Sequence, residues 1–346
     1  MRKAMFVGAG LILLGASASE AQATANTCPA GTTTTVGGVQ VPDRARASQD
    51  ACQMAVDVFQ MMAPQLGLAL AGGNATLGRG GALGGPPHFS LGLRGNVFNG
   101  DLPDVQSFPV PSTSGRVQRT DANPLPASNQ IVGLPTADAA IGVFGGVPLG
   151  LTNVGGIDLL LSATYVPSIG DEEDDVQIKP ERNLQLGYGV RVGLLQESLV
   201  VPGVSFTYLK RDLPTTNITG TSSSLDVFIN EVKVKTSAYR IVASKSLLLL
   251  GVAAGVGKDN YNQSALVQAT VKNTPLGPQT SDIVALSQKL TRTNYFLDLS
   301  LNLPIFKLIG EVGRVSGGTV DMYNAFETGR ADKARTYGSL GFRIGI

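Results

Sequence analysis

The chain has 346 residues, with 43 Gly, 19 Pro, a 43% hydrophobic share, 15% charged residues and a net charge of +1. The near-neutral balance excludes the basic excess that nucleic-acid binding needs, and the apolar share excludes a wholly disordered chain. One His and two Cys exclude a multi-histidine metal centre and a disulfide-dense scaffold.

At the N-terminus, Arg2 and Lys3 precede an apolar, small-residue stretch from Ala4 to Ala16, and Ala21-Gln22-Ala23 fits the small-x-small cleavage pattern. Residues 1–23 therefore read as a secretory signal peptide. The apolar stretch is shorter than the ~20 residues a membrane helix takes. Ala25-Asn26-Thr27 ahead of Cys28 is not a lipobox.

Residues 24–87 form an N-terminal extension. Ser48 suits the cap of a helix running to about Met62, which Pro64 should end or kink. Cys52, Ala55, Val56, Phe59, Met62 and Ala63 share one helical face. That face is buried either as a plug inside the following domain or against its periplasmic base. Cys28 and Cys52 should pair in an oxidising compartment, gaining roughly 3–4 kcal/mol in the chain-entropy model. The glycines from Gly72 to Gly85, around Arg79, lack a nucleotide-binding spacing and read as a flexible lead-in.

Beyond this point the chain alternates. In Asn183–Leu194, one face is Leu184, Leu186, Tyr188, Val190, Val192 and Leu194, and the other is Gln185, Gly187, Gly189, Arg191 and Gly193. Stretches 156–166, 294–302 and 339–346 repeat the pattern. A period of 2 is a strand with one apolar face. The runs are about ten residues long, as a transmembrane strand requires, against ~5–6 for a soluble sheet. Ten strands are expected: 88–98, 137–147, 156–166, 183–195, 203–211, 235–245, 247–258, 291–303, 305–315 and 335–346.

The connections alternate long and short to the end of the chain, as in outer-membrane barrels with long outer loops and short periplasmic turns. Tyr165, Tyr208, Tyr239, Tyr261, Tyr295 and Tyr337 fall near the long-loop ends, and Phe89, Phe306 and Phe342 near the short-turn ends. Two aromatic belts are expected of a membrane barrel. The fold class is thus all-β: an antiparallel transmembrane β-barrel over 88–346, of about ten strands with twelve as the alternative, preceded by a short helical extension. A secreted all-β protein whose strands face one core is the competing reading.

Parity turns Arg94, Asp158, Arg191, Arg240, Asp298, Lys307, Glu311 and Arg343 inward. Charges on the lipid face would cost up to ~2–4 kcal/mol each at the midplane. Inside a narrow barrel they either pair across a filled interior or line a polar pathway. Inward Gly187, Gly189 and Gly193 allow a bend or leave space. Asp171–Asp175 in an outer loop is a solvated run or a divalent-cation site. The proline-rich loop 99–136 should be extended or mobile, and could cover the barrel mouth or bind a partner.

The signal, the rhythm of turns and loops, and the terminal strand Tyr337–Ile346 with Phe342 resemble bacterial outer-membrane β-barrels. More loosely, the extension and its Gly72–Gly85 stretch resemble the hatch of the long-chain fatty-acid transporter family. The resemblance implies the outer membrane of a Gram-negative-type bacterium, lipid and the barrel-insertion machinery as partners, and a small-molecule ligand. His88 lies at the periplasmic start of the first strand with no nucleophile discernible nearby. No catalytic, cofactor-binding or metal-ligating residue stands out. The expected function is binding or passage of small molecules, hydrophobic ones included, gated by the N-terminal segment. The alternative is a filled structural or surface-interaction barrel.

Overall fold

A computed structural model describes residues 28–29, 34–36, 39–171, 173–274 and 277–345. The signal-peptide reading of 1–23 lies outside them. Ten antiparallel strands close into a ring. They are β1 (Phe89–Pro103), β2 (Ala127–Phe144), β3 (Gly156–Tyr165), β4 (Leu184–Leu195), β5 (Gly203–Asp212), β6 (Leu225–Leu247), β7 (Leu250–Val271), β8 (Val284–Asn302), β9 (Phe306–Val315) and β10 (Arg335–Gly345). Each pairs with its sequence neighbour. β10 returns to β1, from Gly345↔Ser90 to Tyr337↔Phe98, so the ring has no free edge.

The faces alternate as the period of 2 requires. On β8, Asn294, Phe296, Asp298 and Ser300 are buried, while Tyr295, Leu297, Leu299 and Leu301 are exposed. Charges buried inside an apolar exterior invert the order of a soluble protein. With its strands paired all the way round, the ring is a transmembrane β-barrel of the outer-membrane type. From Tyr295 to Asn302, where β8 ends, the chain runs about 23 Å at ~3.3 Å per residue. At a tilt of ~40° that gives about 18 Å of height, and the turn through Ile305 extends it toward the usual ~25 Å apolar band. The exposed turn residues Leu199, Leu248, Leu249 and Ile305 therefore belong to the lower edge of that band.

On the long-loop side the strands run further than the alternation indicates. β2 begins at Ala127 rather than 137 and β6 at Leu225 rather than 235. β7 continues to Val271 rather than 258, and β8 begins at Val284 rather than 291. Two short strands, Val176–Pro180 and Thr216–Thr221, widen this wall beside β6. Here the inward residues, among them Val227, Ile229, Val267, Ala269 and Leu286, form an apolar core with a helix instead of a polar lumen.

That helix, α1, spans Pro42–Ala71, longer at both ends than expected. Ser48 is not its cap; its hydroxyl donates to the Ala45 carbonyl within the helix. Pro64 does not end it. The Gln65 amide donates to the Met61 carbonyl and Gln263 donates to the Ala63 carbonyl beside the interrupted turn. Nor does α1 dock at the periplasmic base. Its first half sits among the long loops and its second half enters the ring. Ala45–Ala71 is long and apolar enough to cross a bilayer, but it is mostly buried inside the protein.

Loop 104–126 is likewise no mobile arm. Val105, Phe108 and Leu125 are buried in the same core as α1.

Candidate functional site in the plugged lumen

Three levels of contact fill the ring from the long-loop end to the short-turn end. At the top, α1 is fastened to the loops. Asp50 accepts both Arg119 guanidinium nitrogens at 2.7 Å. Asp57 accepts from the Tyr323 and Asn324 amides at 3.0 and 3.1 Å. Burial pushes the Asp57 carboxyl up to about 7, against the lowering effect of those hydrogen bonds. Cys28 and Cys52 form a disulfide, with Cα atoms 5.9 Å apart. Lower down, the Gln65 amide bridges the Asp101 backbone, donating and accepting at 2.7 Å.

At the middle level the helix ends against arginines. A helix leaves its last carbonyls unpaired and carries partial negative charge there. Arg211 donates to the Leu70 carbonyl, Arg240 to those of Ala71 and Gly73, and Arg94 to that of Gly72. These guanidinium groups come from β5, β6 and β1, so the ring caps the helix. Each is also paired with a carboxylate. Asp138 bridges Arg94 at 2.8 Å and Arg211 at 2.9 Å, and Asp259 meets Arg240 at 3.0 Å. Asn294 donates to Asp259 and accepts from the Tyr337 hydroxyl, both at 2.9 Å.

Below the helix, residues 72–85 descend through the ring to His88 at the short-turn end. Wall carboxylates accept from their backbone. Asn74 N–H donates to Glu311 and Gly78 N–H to Asp298, each at 2.8 Å, and Leu83 N–H donates to both oxygens of Asp158. Asp158 is simultaneously paired with Arg191 at 2.7 Å, and Arg191 donates to the Thr76 hydroxyl. Arg343 reaches the Leu77 carbonyl. The glycine-rich stretch is therefore a bonded thread, not a flexible lead-in.

Small wall residues make room for it. A Cβ on Gly193 would stand 2.8 Å from that of Ala82, and one on Gly341 would collide with Leu77.

Arg94, Asp158, Arg191, Arg240, Asp298, Glu311 and Arg343 all lie buried in the lumen. Lys307 is half-buried at the short-turn mouth, lining a small cleft with Arg79 and Arg343. Asp138, Arg211, Arg292 and Arg335 belong to the same interior and were missed. The parity of β2, β5, β8 and β10 already pointed them inward. Asp259 fell one residue beyond the expected end of its strand.

His88 bonds the Gly85 carbonyl at 2.8 Å through Nδ1. Among the described residues no group of three His, Cys, Asp or Glu is arranged to hold a metal. Within the acidic loop, Asp171 N–H donates to the Asp174 carboxylate, and Asp175 accepts from Gln106.

No family model matches the chain, and no curated protein matches it. Among solved structures it is similar to the transport unit of the autotransporter AIDA-I from Escherichia coli. The identity is 8%, covering 86% of this chain and 99% of that one, with a TM-score of 0.36. It is also similar to the toluene transporter TodX from Pseudomonas putida (8% identity, 80% and 95% covered, TM-score 0.30) and to an anion-selective porin from Comamonas acidovorans (9%, 75% and 98%, TM-score 0.18). These neighbours are outer-membrane β-barrels.

Proposed function

We propose that this protein is an outer-membrane conduit for small polar solutes, held shut by residues 72–85. One observation carries the reading. At membrane height the lumen is occupied by a glycine-rich segment bonded through its backbone, while the wall recedes to Gly193 and Gly341 to admit it. A barrel that is merely filled needs only larger inward side chains from its own strands. Withdrawal of the segment would leave a path lined by Arg94, Asp158, Arg191, Asp298, Glu311 and Arg343, with Lys307 at its mouth. Such a lining suits polar cargo better than hydrophobic cargo. The segment would then act as the hatch that the resemblance to long-chain fatty-acid transporters implies. The barrel has no catalytic role in this reading. The last described strand, Arg335–Gly345, would serve the insertion machinery.

A second reading is a permanently filled barrel that presents an outer platform. The burial of α1 with loops 104–126 and 316–334, stapled by Cys28–Cys52, favours it. Single-channel recording in planar bilayers separates the two, comparing the full chain with a deletion of residues 24–85. The conduit reading expects rare openings of the full chain and steady conductance of the deletion. A deletion that still shows a heat-modifiable band but passes no current refutes it.

A further inference from the structure

The outward wall changes character where the apolar band ends. The rows below are apolar: Phe206, Ile241, Val256 and Tyr295 face lipid. Within the next few residues toward the loops, four consecutive strands each present a cation outward: Lys210 on β5, Lys235 on β6, Lys258 on β7 and Lys289 on β8. A fifth, Arg314 on β9, stands at the boundary row itself. Tyr188, Tyr208, Tyr239 and Tyr295 mark the boundary, with Lys258 opposite Tyr239 and Arg314 opposite Tyr295 in register.

None of the five has a carboxylate within ion-pair distance among the described residues. The ion pairs on this wall engage Lys233 with Glu231 and Lys272 with Asp226 instead. Asp212 lies in register with Lys235 but forms no ion pair with it. Lys210 stands 6.0 Å from the Tyr188 ring. Lys210, Lys235 and Lys289 line one shallow cleft of about 430 Å³, together with Tyr208, Ser237 and Asn262. The other half of the circumference lacks this arc: its outward residues near that height include Val97, Ile131, Tyr165 and Leu184.

We infer that this arc is a binding site for the phosphate groups of a bisphosphorylated glycolipid in the outer leaflet. Height, charge and polarity all contribute. The band is about 25 Å tall only if its lower edge lies at the short turns, and this puts its upper edge at the tyrosines. The cations then stand at the level of the outer lipid head groups, with hydroxyl and amide donors beside them. An ammonium group held next to a membrane surface attracts anionic lipid head groups. Four of the five lie on adjacent strands within a few residues of one level, so one multiply charged head group can meet several of them. The apolar rows below would receive its acyl chains. The site is on the outside of the ring and does not depend on whether the lumen conducts.

The test is native mass spectrometry of the purified full chain in detergent. The probes are a bisphosphorylated, multiply acylated diglucosamine lipid, its dephosphorylated counterpart and phosphatidylglycerol. The comparison variant carries Lys210→Gln, Lys235→Gln, Lys258→Gln and Lys289→Gln, with a Lys→Arg set at the same positions as rescue. All four side chains are outside the core, and heat-modifiable gel migration verifies that each variant is folded. The full chain should retain the bisphosphorylated lipid at least tenfold more than either other lipid, the Gln set should lose that preference, and the Arg set should keep it. Equal retention of phosphatidylglycerol, or a folded Gln set that binds within twofold of the full chain, overturns the site.

Discussion

Asp158 on β3 and Arg191 on β4 face each other across the lumen wall at 2.7 Å, and the same carboxylate accepts the Leu83 amide of the thread. An ion pair of the ring thus doubles as an anchor of the plug. Both side chains are fully buried. Replacing Asp158 by Ala leaves a guanidinium without its counter-charge, which costs about 3–5 kcal/mol. The temperature at which the folded gel band disappears should fall. Asp158→Ala combined with Arg191→Met should lie closer to the wild type than Asp158→Ala alone. A double variant that falls as far as the sum of the two single variants would show that the pair is not coupled.

At Gly67, α1 packs closely against the wall. A Cβ there would stand 2.7 Å from the ring of Tyr261, which is itself buried. Helix propensity favours Ala over Gly by about 1 kcal/mol, whereas overpacking costs about 1–3 kcal/mol. The contact should win, and Gly67→Ala should destabilise. Adding Tyr261→Ala should relieve the clash and let the propensity gain appear, as measured by thermal melts of the refolded barrel.

The topology of α1 predicts on which side of the membrane Cys28 lies. Cys28 is held against Cys52 at the long-loop end of the barrel. An epitope inserted beside Cys28 should therefore be reached by antibody on intact cells. Labelling only after the outer membrane is permeabilised would place α1 the other way round.

Asp57 gives the docking of α1 a pH dependence. Its carboxyl is held up at about 7, above the usual range for an aspartate. Between about pH 4 and 7 the folded state keeps a proton that the unfolded state has lost. Stability from this group is full below pH 4 and declines by up to about 1.4 kcal/mol per pH unit until 7. Protection factors of the α1 amides, corrected for the intrinsic rise of exchange with pH, should fall over that window. In Asp57→Asn the slope should flatten.

Reduction of the disulfide should release roughly 3–4 kcal/mol of unfolded-state constraint. The effect belongs to the top of the plug: protease should reach the first turns of α1 sooner in Cys52→Ser, while the gel shift of the barrel persists. Collapse of the barrel band itself would mean that the staple supports the ring as well.

The sequence by itself determined the ring. Lipid on one side and polar contents on the other impose a choice at every residue, so alternation such as Leu184–Leu194 names both the strand and its faces locally. The same logic assigned the inward direction of Arg94, Asp158, Arg191, Arg240, Asp298, Glu311 and Arg343, while an oxidising compartment was the ground for pairing Cys28 with Cys52. Only the tertiary structure decided what those groups do. The end of α1 meets Arg94, Arg211 and Arg240 because three distant strands converge on it, and no local pattern encodes that meeting. The strands overrun their expected ends for the same reason: above the membrane, Val227, Ile229 and Val267 are ordered by packing against a helix rather than by lipid. Pro64 marked a helix end on local grounds, but burial within the ring overrode it. The glycines from Gly72 to Gly85 carried no period at all. Their role follows from the wall that surrounds them, which only the closed barrel supplies.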